Sequence, residues 1–188
     1  GLLELVRSDP AFVSIFEQAQ VASELDLVGP SVIYPLAIAQ IRQSQRSGAV
    51  LILTTTGRAA DELAADLSAY LPDEGIEVFP SWETLPHERL SPSADTVGRR
   101  MAVLRRLAHP IIGSVHSAPI TVLITSVRAA LQPIVADLGD QKPVELKIGD
   151  QASLTETVSR LVALGYERVD LVDRRGQIAV RGGILDVF

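Results

Sequence analysis

The feature that most constrains this chain is the alternation of short apolar runs with amphipathic stretches between residues 49 and 135. Ala49 to Thr54 is a continuous apolar, β-branched run, the pattern of a strand buried on both faces. Gly57 to Leu71 then repeats at helical spacing, with Ala60, Leu63, Ala64 and Leu67 on one side and Asp61, Glu62 and Asp66 on the other. Ile76 to Phe79 is a second short strand. Asp95 to Leu107 is a helix with Val97, Met101, Leu104 and Ala108 along one face. Thr121 to Thr125 is a third buried strand and Val127 to Val135 a short helix. Strands alternating with helices predict a parallel α/β sheet. Between them, residues 80–93 are punctuated by proline, have no clean period, and form a long ordered loop.

The flanks differ from this middle part. A helix starts at Pro10, capped by Ser8 or Asp9, with Phe12, Val13, Ile15, Phe16 and Ala19 on its apolar side. Leu25 to Val28 suits a short strand, followed by Gly29-Pro30 and a helix from Val32 to Ser44 that tolerates Pro35 only near its first turn. Beyond residue 140 the pattern becomes α+β. Val144 to Ile148 can be a strand, and Ser153-Leu154-Thr155-Glu156 is a capping box opening a helix that stops at Gly165. Arg168 to Val172, Gln177 to Val180 and Gly183 to Phe188 follow as antiparallel strands around the turn 173–176. The expected division is an α/β unit over residues 1–140 and the first part of a small α+β unit over 141–188. The apolar strand at Phe188 suggests a pairing partner further along a longer chain.

Composition narrows the chemistry. With 47% hydrophobic residues the chain can build a core, and no apolar run approaches the ~20 residues of a membrane span. Gly1 to Val6 has no basic leader. Zero cysteines exclude disulfides, thiol nucleophiles and cysteine-based metal sites. The expectation is a soluble, cytoplasmic protein with no membrane partner. Residues 1–98 carry 5 basic and 14 acidic side chains, a net of −9, whereas residues 99–188 carry 12 and 9, a net of +3. The first half would be repelled by nucleic acid. Of the 17 basic residues, 15 are Arg, so most cationic contacts here are planar and bidentate in character.

Catalytic groups are sparse. His87, His109 and His116 stand in no metal-ligand spacing, so no metal site is expected. No Gly-x-Ser-x-Gly elbow occurs, and Glu83 and Glu88 are a carboxylate pair without a pocket. The phosphate-loop position of an α/β sheet is the instructive one. If Gly29 were the first glycine of such a loop, Gly-Lys-Thr would fall at 34, 35 and 36, where the chain has Tyr34, Pro35 and Leu36. No lysine reaches the phosphates and no hydroxyl reaches magnesium, while Pro35 removes an amide donor. No ATP binding and no cofactor are expected there.

Two segments carry a family resemblance. Phe79-Pro80-Ser81-Trp82-Glu83-Thr84-Leu85-Pro86-His87 runs on to Asp95-Thr96-Val97-Gly98-Arg99-Arg100. Gly165-Tyr166-Glu167-Arg168-Val169-Asp170 continues to Val180-Arg181-Gly182-Gly183-Ile184-Leu185-Asp186-Val187-Phe188. In this order and spacing they resemble the N-terminal region of bacterial transcription-repair coupling factors (Mfd), a region itself similar to the excinuclease subunit UvrB. The resemblance implies a helicase-like α/β fold with a degenerate phosphate loop, then the start of a UvrA-binding domain. UvrB carries an intact phosphate loop and a tyrosine-rich hairpin for damaged DNA. Residues 80–93 offer only Trp82 for stacking, which suits a packed anchor better than a DNA wedge.

The implied function is a non-catalytic module that recruits UvrA to stalled transcription complexes for nucleotide excision repair. ATP and magnesium, RNA polymerase and DNA would belong to other parts of the family protein. The family's docking arginines fall here on Arg168 and Arg181. A further one falls on Ala179, and Arg174 and Arg175 on the adjoining turn could compensate. The bland alternative pairs Arg168 with Glu167 or Asp170, and Arg181 with Asp186. A second functional reading is a DNA-binding helicase-like domain tracking phosphates with Arg99, Arg100, Arg105 and Arg106, although a six-residue step turns a helix by roughly 240° and splits them into two pairs. A third is an intramolecular, autoinhibitory brake.

Overall fold

The computed structural model describes residues 2–45, 48–84, 91–114 and 116–188. His87 and Glu88 lie outside them, as does the rest of 85–90 in the loop. In chain order the elements are α1 (Leu2–Ser8), α2 (Pro10–Val21), a 3-10 turn (Ser31–Ile33), α3 (Tyr34–Ser44), β1 (Val50–Thr54), α4 (Gly57–Tyr70), β2 (Ile76–Phe79) and α5 (Ala94–Ala108). There follow β3 (Val122–Ser126), α6 (Val127–Leu131), a second 3-10 turn (Leu138–Asp140), α7 (Leu154–Ala163), β4 (Glu167–Arg168), β5 (Gln177–Arg181) and β6 (Ile184–Val187). None of the described helices is long and apolar enough to cross a membrane.

The expected α/β architecture is present. The first sheet is parallel with order β1-β3-β2, pairing Ile52 with Ile124 and Val78 with Ile124. Its central strand carries Val122 and Ile124, both fully buried. On one face these two pack with Ala39 of α3, and Ala60 and Leu67 of α4. On the other, Phe79, Val103 of α5 and Ala129 of α6 form a second cluster that includes Leu123. This second cover does not extend across β1. Leu51 and Leu53 are 61% and 56% exposed, so β1 is an edge strand buried on one face only. An apolar run reads the same whether or not a helix arrives to cover it.

Helix ends follow local chemistry. The Asp9 side chain accepts from the Ala11 amide, Thr56 from Ala59, Ser93 from Thr96 and Ser153 from Glu156. α6 ends at Leu131 rather than Val135, because the residue before Pro133 leaves the helical region. α7 closes as expected at Gly165, whose φ of 94° suits the left-handed C-terminal position. The short α1 ahead of the Asp9 cap was not expected.

Three strand expectations fail. Leu25–Val28 and Val144–Ile148 are irregular, and Val28 and Ile148 are fully exposed. A strand needs a partner for its backbone groups, and neither segment has one among the described residues. Residues 169–172 also leave the sheet. The second sheet has order β4-β5-β6, and β4 runs parallel to β5, not antiparallel. The carboxamide of buried Gln177 accepts from the amides of Asp173 and Arg174 at 3.1 and 3.3 Å, closing a local turn where a hairpin ladder would have run.

The uneven cover of the first sheet has a measurable consequence. Ile124→Ala should cost about 2–5 kcal/mol in denaturant unfolding. Leu53→Ala, on the open face, should stay within about 0.5 kcal/mol. Equal costs would mean that β1 is covered on both sides.

Candidate docking surface

The four arginines flagged in the sequence lie in and beside the second sheet, and the structure separates their roles. Residues paired across neighbouring strands share a face, and faces alternate along each strand. Arg168 is in register with Ile178, and Ile178 with Val187, so these share one face with Val180 and Leu185. Arg181 is in register with Ile184 and shares the opposite face with Ala179 and Asp186. Arg168 and Arg181 therefore lie on two surfaces, one on each side of the sheet.

Their partners differ as well. Arg181 Nη2 donates to Asp186 Oδ2 at 3.2 Å, as the bland alternative anticipates, and both side chains remain substantially exposed. Arg168 is exposed and pairs with neither Glu167 nor Asp170. Arg174 lies 3.8 Å from Glu167 on a solvated edge. Arg175 points elsewhere, its Nη1 donating to Asp95 Oδ1 of α5 at 2.6 Å. Ala179 is fully buried, so an arginine at that position has no place on the surface of this chain.

In the Gly29–Leu36 segment, the 3-10 turn Ser31–Ile33 leads into α3. The Tyr34 hydroxyl folds back to donate to the Gly29 carbonyl at 3.1 Å. A Cβ on Gly29 would come within 2.8 Å of Ile33 Cδ1. Pro35 is buried within the first turn of α3, and Leu36 is half-buried behind it. The turn is filled by its own side chains.

α5 holds what sequence reasoning missed. Its buried positions are Thr96, Arg100 and Val103, whereas the expected apolar face at Val97 and Met101 lines an open groove. Arg100 is 1% exposed. Its guanidinium carbon lies 4.1 Å from the Phe79 ring centre and 4.2 Å from that of Trp82, and Nη1 donates to the Pro80 carbonyl at 2.6 Å. Nε and Nη2 find no hydrogen-bond partner among the described residues, and burial lowers the pKa of the group. Trp82 is an anchor, as expected, with its amide donating to Gln132 Oε1 at 2.8 Å. Arg106 donates to the Ala118 carbonyl and pairs with Glu77, Arg105 faces the carbonyls of Gly139 and Asp140, and Arg99 lies 3.8 Å from Asp61. Arg100, Arg105 and Arg106 are thus attached inward and Arg99 makes a solvated pair with α4, which leaves no row of free cations along α5 for a DNA backbone. The only sequence signal for Arg100 was its i, i+4, i+7 spacing with Thr96 and Val103.

Glu83 seals the start of α5. It accepts from the Ser93 hydroxyl at 2.6 Å and from the Thr96 hydroxyl. Those two hydroxyls hold its carboxyl at about 2, down from 4.5. No cluster of metal-ligating side chains occurs among the described residues, and His109 Nε2 pairs with Asp140 at 2.5 Å.

Comparison with known proteins bears on the second sheet. The UvrB interaction domain family matches residues 144–188, a span containing β4, β5 and β6. Transcription-repair-coupling factors of Mycobacterium bovis and Mycobacterium tuberculosis are each 47% identical over the whole chain. The chain is related to the transcription-repair-coupling factors. The factor of Haemophilus influenzae is 32% identical over 81% of the chain. This chain spans 15% of the length of the mycobacterial coupling factors and 13% of that of Haemophilus.

The Glu83 contacts give a pH-dependent outcome. A carboxyl whose pKa is depressed on folding adds stability above its unfolded value, and that stability fades as pH falls from about 4.5 toward 2. Glu83→Gln should lower the melting temperature by about 1–3 °C at pH 7, a modest shift because the site is exposed. The gap should shrink by pH 3. An unchanged gap would mean the carboxylate adds nothing beyond its shape.

Proposed function

We propose that this chain is a non-catalytic, partner-recruiting part of a transcription-repair coupling factor. Its second sheet would dock UvrA and so bring excision repair to stalled transcription. The observation that carries this reading is the coincidence of the UvrB interaction domain match over 144–188 with the sheet that presents Arg168, Arg174 and Arg181 to solvent. Arginine suits such a surface because its planar fork forms bidentate bonds to carboxylates and packs flat. Arg181 must exchange its exposed contact with Asp186 for one in the partner, at little cost because such pairs are weak. ATP, magnesium, RNA polymerase and DNA fall to other parts of the longer protein. The DNA-tracking reading is disfavoured by the inward attachments of Arg100, Arg105 and Arg106 and by the pairing of Arg99 with Asp61.

Two experiments test it. Arg168→Ala and Arg181→Ala should each weaken UvrA binding, by about 0.2–1 kcal/mol at a wet rim and about 2–5 kcal/mol at a desolvated contact. Because the residues occupy opposite faces and share no partner, their effects should add within about 0.5 kcal/mol. Melting temperatures should move little. Untouched affinity would sink the docking assignment.

The second test concerns nucleotide. Tyr34 fills the turn and Pro35 lacks an amide hydrogen, so calorimetry with Mg-ATP should give no saturable heat. A micromolar dissociation constant would overturn the non-catalytic reading.

A further inference from the structure

The attachment of Arg175 to Asp95 has a consequence beyond docking. We propose that Arg175 is a positioning residue, and that its ion pair with Asp95 clasps the second sheet to the first turn of α5, setting the angle between the two sheets. Asp95 lies in that first turn, where the unpaired amides and the helix dipole favour a carboxylate. Arg175 Nη1 meets its Oδ1 at 2.6 Å, across 80 residues of sequence.

The next residue shows that the turn sits directly on the helix. Gly176 has a φ of 86°, and a Cβ there would come within 2.7 Å of the Ala94 Cβ. Gly176 also ties the small sheet together. Its amide donates to the Phe188 carbonyl at 2.6 Å, and its carbonyl accepts from the Glu167 amide at 2.8 Å. Displacing this turn therefore carries β4 and the end of β6 with it. At the other end, α5 is fastened to the first sheet through Arg106 to Glu77 of β2 and through Arg100 to Pro80. The path from one sheet to the other runs through Arg175, Asp95 and α5.

Beside this path lies a groove of about 990 Å³, lined by Val97, Met101, Leu161, Tyr166 and Leu185. The clasp is weak by construction, because its side chains are 63% and 49% exposed. An ion pair of that kind is screened by salt and opens readily. Arg175 is then distinct from Arg168, Arg174 and Arg181. Only this last distinction rests on the docking reading above; the clasp itself does not.

The test reads geometry without UvrA. The chain has no cysteine, so Ala65→Cys on α4 and Ser159→Cys on α7, both exposed, give one unambiguous spin-label pair. Pulsed electron resonance should give a narrow distance distribution at low salt. Arg175→Gln and Asp95→Asn should broaden it alike, with the open population rising about two- to fivefold. Added 0.5 M salt should broaden the parent, at roughly a 4 Å screening length, and leave Arg175→Gln unchanged. Melting temperatures should stay with the parent. A distribution that Arg175→Gln leaves narrow, or one in which that variant still responds to salt as the parent does, overturns the clasp. Loss of UvrA affinity in Arg175→Gln with an unaltered distribution would do the same and make Arg175 a docking contact. Failure of the Arg168 and Arg181 variants to affect UvrA would leave the distance result standing.

Discussion

The parallel sheet buries its central strand on both faces, and much of the second cover falls to one helix. α5 supplies Val103 to the cluster with Phe79 and Ala129, and it does so with a polar-flanked stripe rather than its most apolar one. Burying Arg100 is the cost of that orientation. A guanidinium removed from water needs compensation, and two aromatic faces and one carbonyl supply part of it. The same orientation turns Val97 and Met101 toward the groove and brings Asp95 to Arg175. The rotation of α5 thus sets the Trp82 anchor, the groove and the attachment of the second sheet together.

On α5 the cations work mostly inward. Three of the four arginines of α5, Arg100, Arg105 and Arg106, hold a strand carboxylate, backbone carbonyls and aromatic rings, which fastens the proline-rich segment and the 3-10 turn at Leu138–Asp140 to the helix. Solvated cations remain on the second sheet, where Arg168 and Arg174 are exposed and Arg181 is held only by a weak pair. A docking surface benefits from that contrast. Cations already committed internally would have to abandon buried partners to bind another protein, whereas exposed ones exchange water or a weak pair for the new contact.

Much of this was legible in the sequence because it depends on neighbours within a turn or two. The two caps read from the sequence, Asp9 and Ser153, act on amides two or three residues away. The alternation of strands and helices set the parallel sheet, and the Trp82 and Arg181 segments carried the family resemblance. What failed depended on partners far along the chain. Leu25–Val28 and Val144–Ile148 have strand-like composition but no strand beside them, and β1 has the composition of a doubly buried strand without the second layer.

The sequence by itself determined the helix starts at the Asp9 and Ser153 caps, the strand–helix alternation and the residue types at Tyr34, Pro35 and Leu36, since these rest on local sterics and short-range hydrogen bonds. Only the tertiary structure decided which face of α5 is buried, because Val97 and Thr96 are both reachable at helical spacing and the sheet selects between them. Only it placed Arg168 and Arg181 on opposite faces, because the parallel return of β5 beside β4 sets a register that no pattern of residues within either strand encodes.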